Sequence, residues 1–269
     1  MKDNYPKISV VTPSFNSAKY IEDCIQSVLN QNYPNFEHIV IDGGSTDGTV
    51  DILKQYHHLK WISEPDKGQS DALNKGIIMA NGEYILWLNA DDYLEKYYLN
   101  KFIDKLKKKK KFDICYGHMR LVNEKKEEIR KIAQIDWFYL LSLLRVYFPP
   151  SSGTIFKREI LRNNLFNLNF HYNMDGEWFL RAGKNLKTYV INDITINFRV
   201  TDTSKTGKSI KYKKYNEQQI KEKRILSEQY YCCGRKIDLF LKNIFKIYVY
   251  KKKIKYIKYY YENITLFNR

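Results

Sequence analysis

Acidic side chains collect where strand-like runs of this sequence give way to turns. Asp42 closes "HIVID" and opens "GGSTDGT"; Glu64, Asp66 and Asp71 share the stretch "SEPDKGQSDALNKG" with Lys67 and Gln69; "GEYILWLNADD" ends in Asn89, Ala90, Asp91 and Asp92. Ahead of them, "ISVVTPSF" ends in Thr12, Pro13, Ser14 and Phe15. A single polar strand end means little, because turns are polar. Four in succession would place at least four carboxylates on one sheet edge, the edge where ligands of open α/β sheets bind. Crowded carboxylates repel one another, so the arrangement calls for a divalent cation or a ligand rich in hydrogen-bond donors. The glycine-rich "DGGSTDGT" has neither the lysine nor the spacing of a P-loop, and no G-x-G-x-x-G occurs, which argues against an ATPase or a nicotinamide enzyme.

An alternation of strand and helix must position these residues. "KISVVTP" (7–13), "FEHIVID" (36–42), "LKWIS" (59–63) and "EYILWLNA" (83–90) read as strands, the first a buried parallel one and the fourth apolar on both faces. The first helix between them carries Tyr20, Ile21, Cys24, Ile25, Val28 and Leu29 on one face, and "GQSDALNKGIIMA" carries Ala72, Leu73, Gly76, Ile77 and Ala80. Ser45 or Thr46 is expected to cap the helix that runs through "VDILKQY", and Asp92 the helix after the fourth strand. This order predicts an α/β fold with a mostly parallel sheet flanked by helices. After residue 95 the pattern loosens. "YYLNKFIDKLKKKKK" reads as a solvated helix, "FDICYG", "GTIFKR", "TYVIND" and "ITINFRV" as further strands, and "MDGEWFLRAGKN" as a helix.

Of the formal net charge of +16, +12 lies in residues 200–269, which hold 18 Lys and Arg against 6 Asp and Glu. This divides the chain into a globular part, 1–206, with halves at 1–92 and 93–206, and a basic helical extension, 207–269. In the extension Ile237, Phe240, Leu241, Ile244, Ile247, Tyr248, Ile254 and Ile257 recur near helical spacing among lysines. Such a stretch binds an anionic membrane surface, or packs on the domain or on a second subunit. No nucleic-acid module accompanies it. No run approaches the ~20 apolar residues of a membrane span. "WFYLLSLL" (137–144) is closed off by Asp136 and Arg145, and the N-terminus lacks the apolar core of a signal peptide. Cys24, Cys115, Cys232 and Cys233 show no zinc-ligand spacing or disulfide framework, so free thiols in a cytosolic protein are expected.

The blocks "SVVTPSFNSAKYIEDCIQSVLNQ", "HIVIDGGSTDGT", "SEPDKGQSDALNKG" and "GEYILWLNADD", in that order, resemble the successive motifs of the family 2 inverting glycosyltransferases, which have the Rossmann-like GT-A fold. The likeness is greatest to the bacterial subgroup that builds O-antigen and capsule polysaccharide, and it runs from residue 6 to about 200. It implies metal-dependent transfer of a hexosyl or N-acetylhexosaminyl unit from a nucleotide-sugar donor, most often UDP-linked. The acceptor it implies is a glycan or an undecaprenyl-linked glycan, the latter consistent with peripheral attachment to the inner face of the cytoplasmic membrane.

Residue by residue, the resemblance implies that Thr12, Pro13, Ser14 and Phe15 line the nucleotide with Asp42 near the base. Asp66, Lys67, Gln69 and Asp71 add base, ribose and sugar contacts. "NAD" (89–91) matches the family's Asp-x-Asp motif with Asn89 replacing the first acid. Asn89 and Ala90 then face the nucleotide, and Asp91 holds Mn²⁺ or Mg²⁺, a hard cation that neutralises charge on the leaving diphosphate. Inverting transfer needs a base at the acceptor hydroxyl. The family's aspartate before a helix ending in "LR" matches Asp175 of "NMDGEWFLRAG", with Glu177 the second candidate and Arg181 closing the pattern. As structural residues, Asp175 would be an N-cap and Glu177 a first-turn acid suited to the helix dipole. Besides Asn89, the sequence departs from the family in two places. Met174 stands where an acid is common, and Arg199 in "FRVTDTSKTGKS" is followed by no histidine, leaving Lys205 or Lys208 to meet the diphosphate. Asn89 and Met174 keep open a catalytically degenerate, nucleotide-sugar-binding partner subunit. A nucleotidyltransferase would need a glycine-rich basic loop that "TPSFNSAKY" does not provide.

Overall fold

The computed structural model describes residues 5–108, 111–201, 204, 216–230 and 243–254. Strands β1 (Ile8–Ser14), β2 (Phe36–Asp42), β3 (Leu59–Ser63) and β4 (Tyr84–Trp87) alternate with helices α1 (Ile21–Leu29), α2 (Thr49–Lys54) and α3 (Gln69–Met79). Every residue of β1 is buried, as befits the central strand of a parallel array. Ile8 and Val10 face α1 and the next helix, α4 (Tyr98–Lys107), while Val11 faces α3. Helix α3 approaches so closely that a Cβ on Gly76 would lie 2.4 Å from Val11 Cγ1, which is why glycine stands on its inner face.

The later elements are β5 (Tyr93–Leu94), β6 (Ile114–Val122), β7 (Glu128–Ile132), α5 (Tyr139–Leu143), β8 (Thr154–Lys157), α6 (Arg158–Asn163), α7 (Met174–Ala182) and β9 (Thr188–Arg199). The sheet order is β3-β2-β1-β4-β8-β6-β9-β5, with β7 attached to β6. The α/β class is as expected, but the parallel character belongs to β1–β4 and to the β6/β9 pair. The β4/β8, β6/β8, β5/β9 and β6/β7 pairs are antiparallel. "TYVIND" and "ITINFRV" form one strand, β9, whose register against β6 shifts between Gly117 and Met119; such bulges bend a strand without ending it.

Several local expectations are corrected. Helix α4 is not merely solvated: Tyr98, Leu99, Phe102 and Ile103 are buried, and the Tyr98 hydroxyl donates to the Gly153 carbonyl at 2.7 Å. Neither Ser45 nor Thr46 caps α2. Gly48 occupies that position in a left-handed conformation, and Asp47 accepts from the Thr49 N–H and hydroxyl at 3.0 and 2.5 Å. Asp92 does not cap α4, whose N-cap is Tyr97. The "WFYLLSLL" run contains α5, with Leu141 fully buried. Among the described residues no helix is long and apolar enough to cross a membrane.

Residues of the basic extension share the main core. Helix α8 (Glu217–Tyr230) and helix α9 (243–254) contribute Leu226 and Val249 to the cluster that contains Trp178, Phe179 and Phe156. Phe138 packs edge-on to Phe245 and Tyr248, with ring centroids 5.8 and 6.1 Å apart. Cys24 and Cys115 are buried free thiols, whereas Cys232 and Cys233 lie outside the described residues.

Candidate active site

The ends of β1, β2 and β3 stand in one row, because Ser14 pairs with Asp42 and Asp42 with Ser63. Asp42 is fully buried and turned into its own loop. It accepts from the Ser63 and Ser45 hydroxyls at 2.7 and 2.5 Å and from the Ser45 N–H at 2.9 Å, so most of its acceptor capacity is committed to shaping that loop. The loops after β1 and β2 are joined in turn: the Asn16 N–H donates to the Ser45 hydroxyl and the Thr46 N–H to the Asn16 side chain. Thr12 and Pro13 are buried, and the Thr12 hydroxyl is bonded to His38 Nε2 at 2.9 Å, on the inner side of the edge. Ser14 differs, since its buried hydroxyl has no hydrogen-bond partner among the described residues. Phe15 beside it is 64% exposed. An orphaned buried hydroxyl next to an uncovered ring is what a bound ligand would complete.

In the stretch 63–76 the crowd of acids is thinner than the sequence implies. Glu64 is exposed and paired with Lys75 at 2.6 Å. Asp71 accepts from the Lys67 N–H at 3.1 Å and lies 3.8 Å from Lys75, while the Lys67 residue is exposed. Asp66 is half-buried against Gly43, where a Cβ would come within 2.9 Å of its carboxylate. Burial pushes its carboxyl up, and Asp71 and Asp42 add to the push, while the Gly68 N–H, bonded to it at 2.7 Å, and Lys75 oppose it. Gln69 reaches across to donate to Asn89 Oδ1 at 2.9 Å.

Asn89 is a junction. Its Oδ1 also accepts from Trp87 Nε1 at 2.8 Å, and its Nδ2 donates to Asp92 at 3.3 Å. An aspartate here could accept the first two bonds but not donate the third, and would add a third acid beside Asp91 and Asp92. Ala90 is buried against α1 and α2. Asp92 is buried and holds the end of β9, accepting from the Arg199 N–H at 2.9 Å. Burial and the neighbouring Asp91 push its carboxyl well above the ordinary range. Burial also pushes Asp91 up; its own backbone N–H and the Arg199 charge oppose that. Arg199 is itself buried, paired with Asp23 at 2.7 Å and flanked by the rings of Tyr20 and Tyr93. Lys205 and Lys208 lie outside the described residues.

Two serines missed in the sequence connect this turn to Asp175. Ser152 accepts from the Asn89 N–H at 3.1 Å and also bonds Asp92, while the Ser151 hydroxyl donates to Asp175 Oδ2 at 2.9 Å. Adjacent Cα atoms lie only about 3.8 Å apart, and the Asn89–Asp92 turn and Asp175 are both bonded to neighbouring residues of "PPSSG". The signal was a proline–glycine-bounded serine pair, which reads locally as a loop. Asp175 lies in the first turn of α7, whose N-cap is Asn173, not Asp175. The helix is anchored by Trp178, packed edge-on to Phe156 at 5.4 Å. Glu177 is buried, with both oxygens held by Arg181 at 2.6 and 3.1 Å, and it faces away from Asp175 by about 200° of helical rotation. Met174 is also buried, its sulfur accepting from the Ser70 hydroxyl at 3.4 Å, a place where an acid would be desolvated.

Residues 9–185 match the family model described as "Glycosyl transferase family 2". A putative teichuronic acid biosynthesis glycosyltransferase, TuaG of Bacillus subtilis, is 42% identical over 105 residues, covering 37% of this chain and 41% of that protein's length. The crystal structure of Staphylococcus aureus TarS 1–349 in complex with UDP-GlcNAc superposes with a TM-score of 0.61 at 22% identity, covering 75% of this chain and 60% of that one. A mannosyltransferase from Pyrobaculum calidifontis, solved with GDP-Man and Mn²⁺, does so with a TM-score of 0.55 at 20% identity, covering 78% of this chain and 61% of that one. At such identities the superpositions speak for the fold, while the family match spans well over half of the sequence, and the chain belongs to glycosyl transferase family 2.

Proposed function

We propose that this chain transfers a sugar, with inversion, from a UDP-linked donor to a hydroxyl of a glycan or lipid-linked glycan in the synthesis of a bacterial surface polysaccharide such as O-antigen or capsule. The observation that carries the reading is the Ser151–Ser152 bridge, which sets Asp175 beside the Asn89–Asp92 turn. The donor's nucleotide lies along Ser14, Phe15, Asp66 and the N-terminus of α3. Support comes from the orphaned Ser14 hydroxyl, from TarS in complex with UDP-GlcNAc, and from a TuaG relative whose name carries teichuronic acid biosynthesis.

Asp91 suits Mn²⁺ or Mg²⁺: among the described residues its carboxylate takes no hydrogen bond from another side chain, and a divalent charge would relieve its desolvation. No group of three His, Cys, Asp or Glu forms a cage among the described residues, so such an ion would take its remaining ligands from phosphate oxygens and water. When bound, the cation neutralises charge on the leaving diphosphate. Asp175 takes the proton of the acceptor hydroxyl as its oxygen attacks the anomeric carbon on the face opposite the diphosphate. The bond to the diphosphate oxygen breaks in the same displacement, and Ser151 holds the carboxylate in place by donating to Oδ2.

The proposal includes peripheral attachment to the inner face of the membrane through α9. Phe245, Tyr248 and Val249 of that helix turn inward, while Ile244, Ile247 and Ile254 are 46%, 56% and 43% exposed beside Lys251. The test of the central reading is calorimetric titration with UDP, GDP and dTDP in Mn²⁺ and in chelator. UDP should bind in Mn²⁺ and weaken in chelator; no heat from any of the three in Mn²⁺ would refute it.

A further inference from the structure

Helix α8 belongs to the basic extension, yet it carries a carboxylate with no counter-cation among the described residues. Glu222 is fully buried. Its Oε1 accepts from the His171 N–H at 2.7 Å and Gln218 Nε2 at 3.0 Å, and its Oε2 from the N–H groups of Tyr172 and Asn173 at 3.0 and 2.9 Å and from Asn173 Nδ2 at 3.0 Å. Three consecutive backbone N–H groups converging on one carboxylate form an anion nest, filled here by a side chain about 50 residues downstream. Burial pushes the Glu222 carboxyl up, and these donors outweigh it and hold it below the ordinary range.

The segment so held leads directly into α7. Asn173 is the N-cap of that helix and makes no side-chain cap bond of its own within it; its amide is given to Glu222. A negative charge at this end also complements the helix dipole. The same segment faces the donor side. The Phe170 carbonyl accepts from the Ser70 hydroxyl at 3.0 Å, and a Cβ on Gly68 would come within 3.0 Å of the His171 ring. Asp175, two residues beyond Asn173, therefore has its height and rotation set from two directions, by Ser151 and by Glu222 through the 171–173 backbone.

We infer that Glu222 is a positioning residue for transfer: it acts through the 171–173 segment to hold Asp175 in register with the donor site, which makes α8 part of the catalytic apparatus. This rests on the assignment of Asp175 as base in the proposed function. Glu222→Gln replaces one acceptor with an amide that meets N–H donors head-on, and a displacement of about 1 Å at a reacting group can cost about 100-fold in rate.

The experiment uses the full chain as Glu222→Gln, Glu222→Asp, Asp175→Asn and the Glu222→Gln/Asp175→Asn double variant. Turnover, calorimetric UDP affinity, amide exchange over residues 171–177 and melting temperature are measured for each. The expected result is turnover down about 10- to 100-fold in Glu222→Gln, UDP affinity within about twofold, faster exchange confined to 171–177, and a smaller loss in Glu222→Asp. The double variant should be no slower than Asp175→Asn alone, because the two changes act through one group. Unchanged turnover in folded Glu222→Gln, beside an inactive Asp175→Asn, overturns this inference alone, as do losses that multiply in the double variant. A fully active Asp175→Asn instead overturns the base assignment on which it rests. If Glu222→Gln does not fold, Glu222→Asp decides: a loss of turnover with UDP affinity kept supports the inference, and equal losses of both overturn it.

Discussion

In the proposed reaction two acids two residues apart, Asp175 and Glu177, are the candidates for general base, and their surroundings predict opposite consequences of neutralising each. In Asp175→Asn the amide retains the shape of the side chain; its oxygen can accept from Ser151 or from the Gly176 N–H, now at 2.9 and 2.7 Å from the carboxylate. Losing part of one hydrogen bond at a half-buried site costs about 1 kcal/mol, so the protein should fold. It cannot take the acceptor's proton, and turnover should fall by about 10²–10⁴, or about 2.7–5.4 kcal/mol in the barrier, with donor affinity unchanged. In Glu177→Gln the reverse holds. The Glu177 side chain is 3% exposed but its partner Arg181 is 33% exposed. Breaking a fully buried pair costs about 3–5 kcal/mol, but Arg181 can turn to water, which brings the expectation to about 1–3 kcal/mol. At about 2–4 °C per kcal/mol for a chain of this size, the melting temperature should drop by several degrees while turnover at 25 °C is kept. Steady-state kinetics and calorimetry on the two variants decide the matter. The reasoning is refuted if Glu177→Gln is inactive with an unchanged melting temperature while Asp175→Asn turns over normally.

Asp91→Asn should keep the fold and lose Mn²⁺-stimulated UDP binding and transfer; full activity of this variant, or of the native chain in excess chelator, would remove the metal from the reading. Ile247→Glu/Ile254→Glu, on the exposed face of α9, should reduce co-sedimentation with vesicles containing phosphatidylglycerol and leave UDP affinity unaltered; equal sedimentation of both proteins would exclude this face as the attachment surface. Glu37 supplies a pH dependence. Burial pushes its carboxyl up, but Lys60, Ser9, the Asn81 N–H and Lys7 outweigh it and hold the pKa at about 2 against an ordinary 4.5. Its contribution is therefore full above pH 4.5 and fades as pH falls toward about 2. Glu37→Gln should be less stable by about 1–3 kcal/mol at neutral pH, with the two denaturation midpoints converging near pH 2; a constant gap across that window would contradict the assignment.

The sequence by itself determined the first half of the fold. β1, β2 and β4 are buried on the sheet faces, β3 at the sheet's edge is only partly so, α1 and α3 show one apolar face each, and the turns between them carry polar residues, all of which are local patterns. The edge on which Ser14, Asp42 and Ser63 align follows from parallel pairing of those strands, and so was legible too. The second half was less so. β7, α5 and α6 are short, and the change to antiparallel pairing at β4/β8 depends on which distant strands meet. Tertiary structure alone decided which acids are committed and which are not. Asp42 is satisfied by Ser45 and Ser63, Glu64 by Lys75, Glu177 by Arg181, and Asp92 by Arg199, 107 residues away. The same holds for Ser152 at Asn89, 63 residues apart, and for Glu222 at Asn173, 49 residues apart. A carboxylate's charge is written in its residue type, but its availability is set by the donors that reach it and by how much water it has lost. Both are supplied by chain that folding brings from elsewhere.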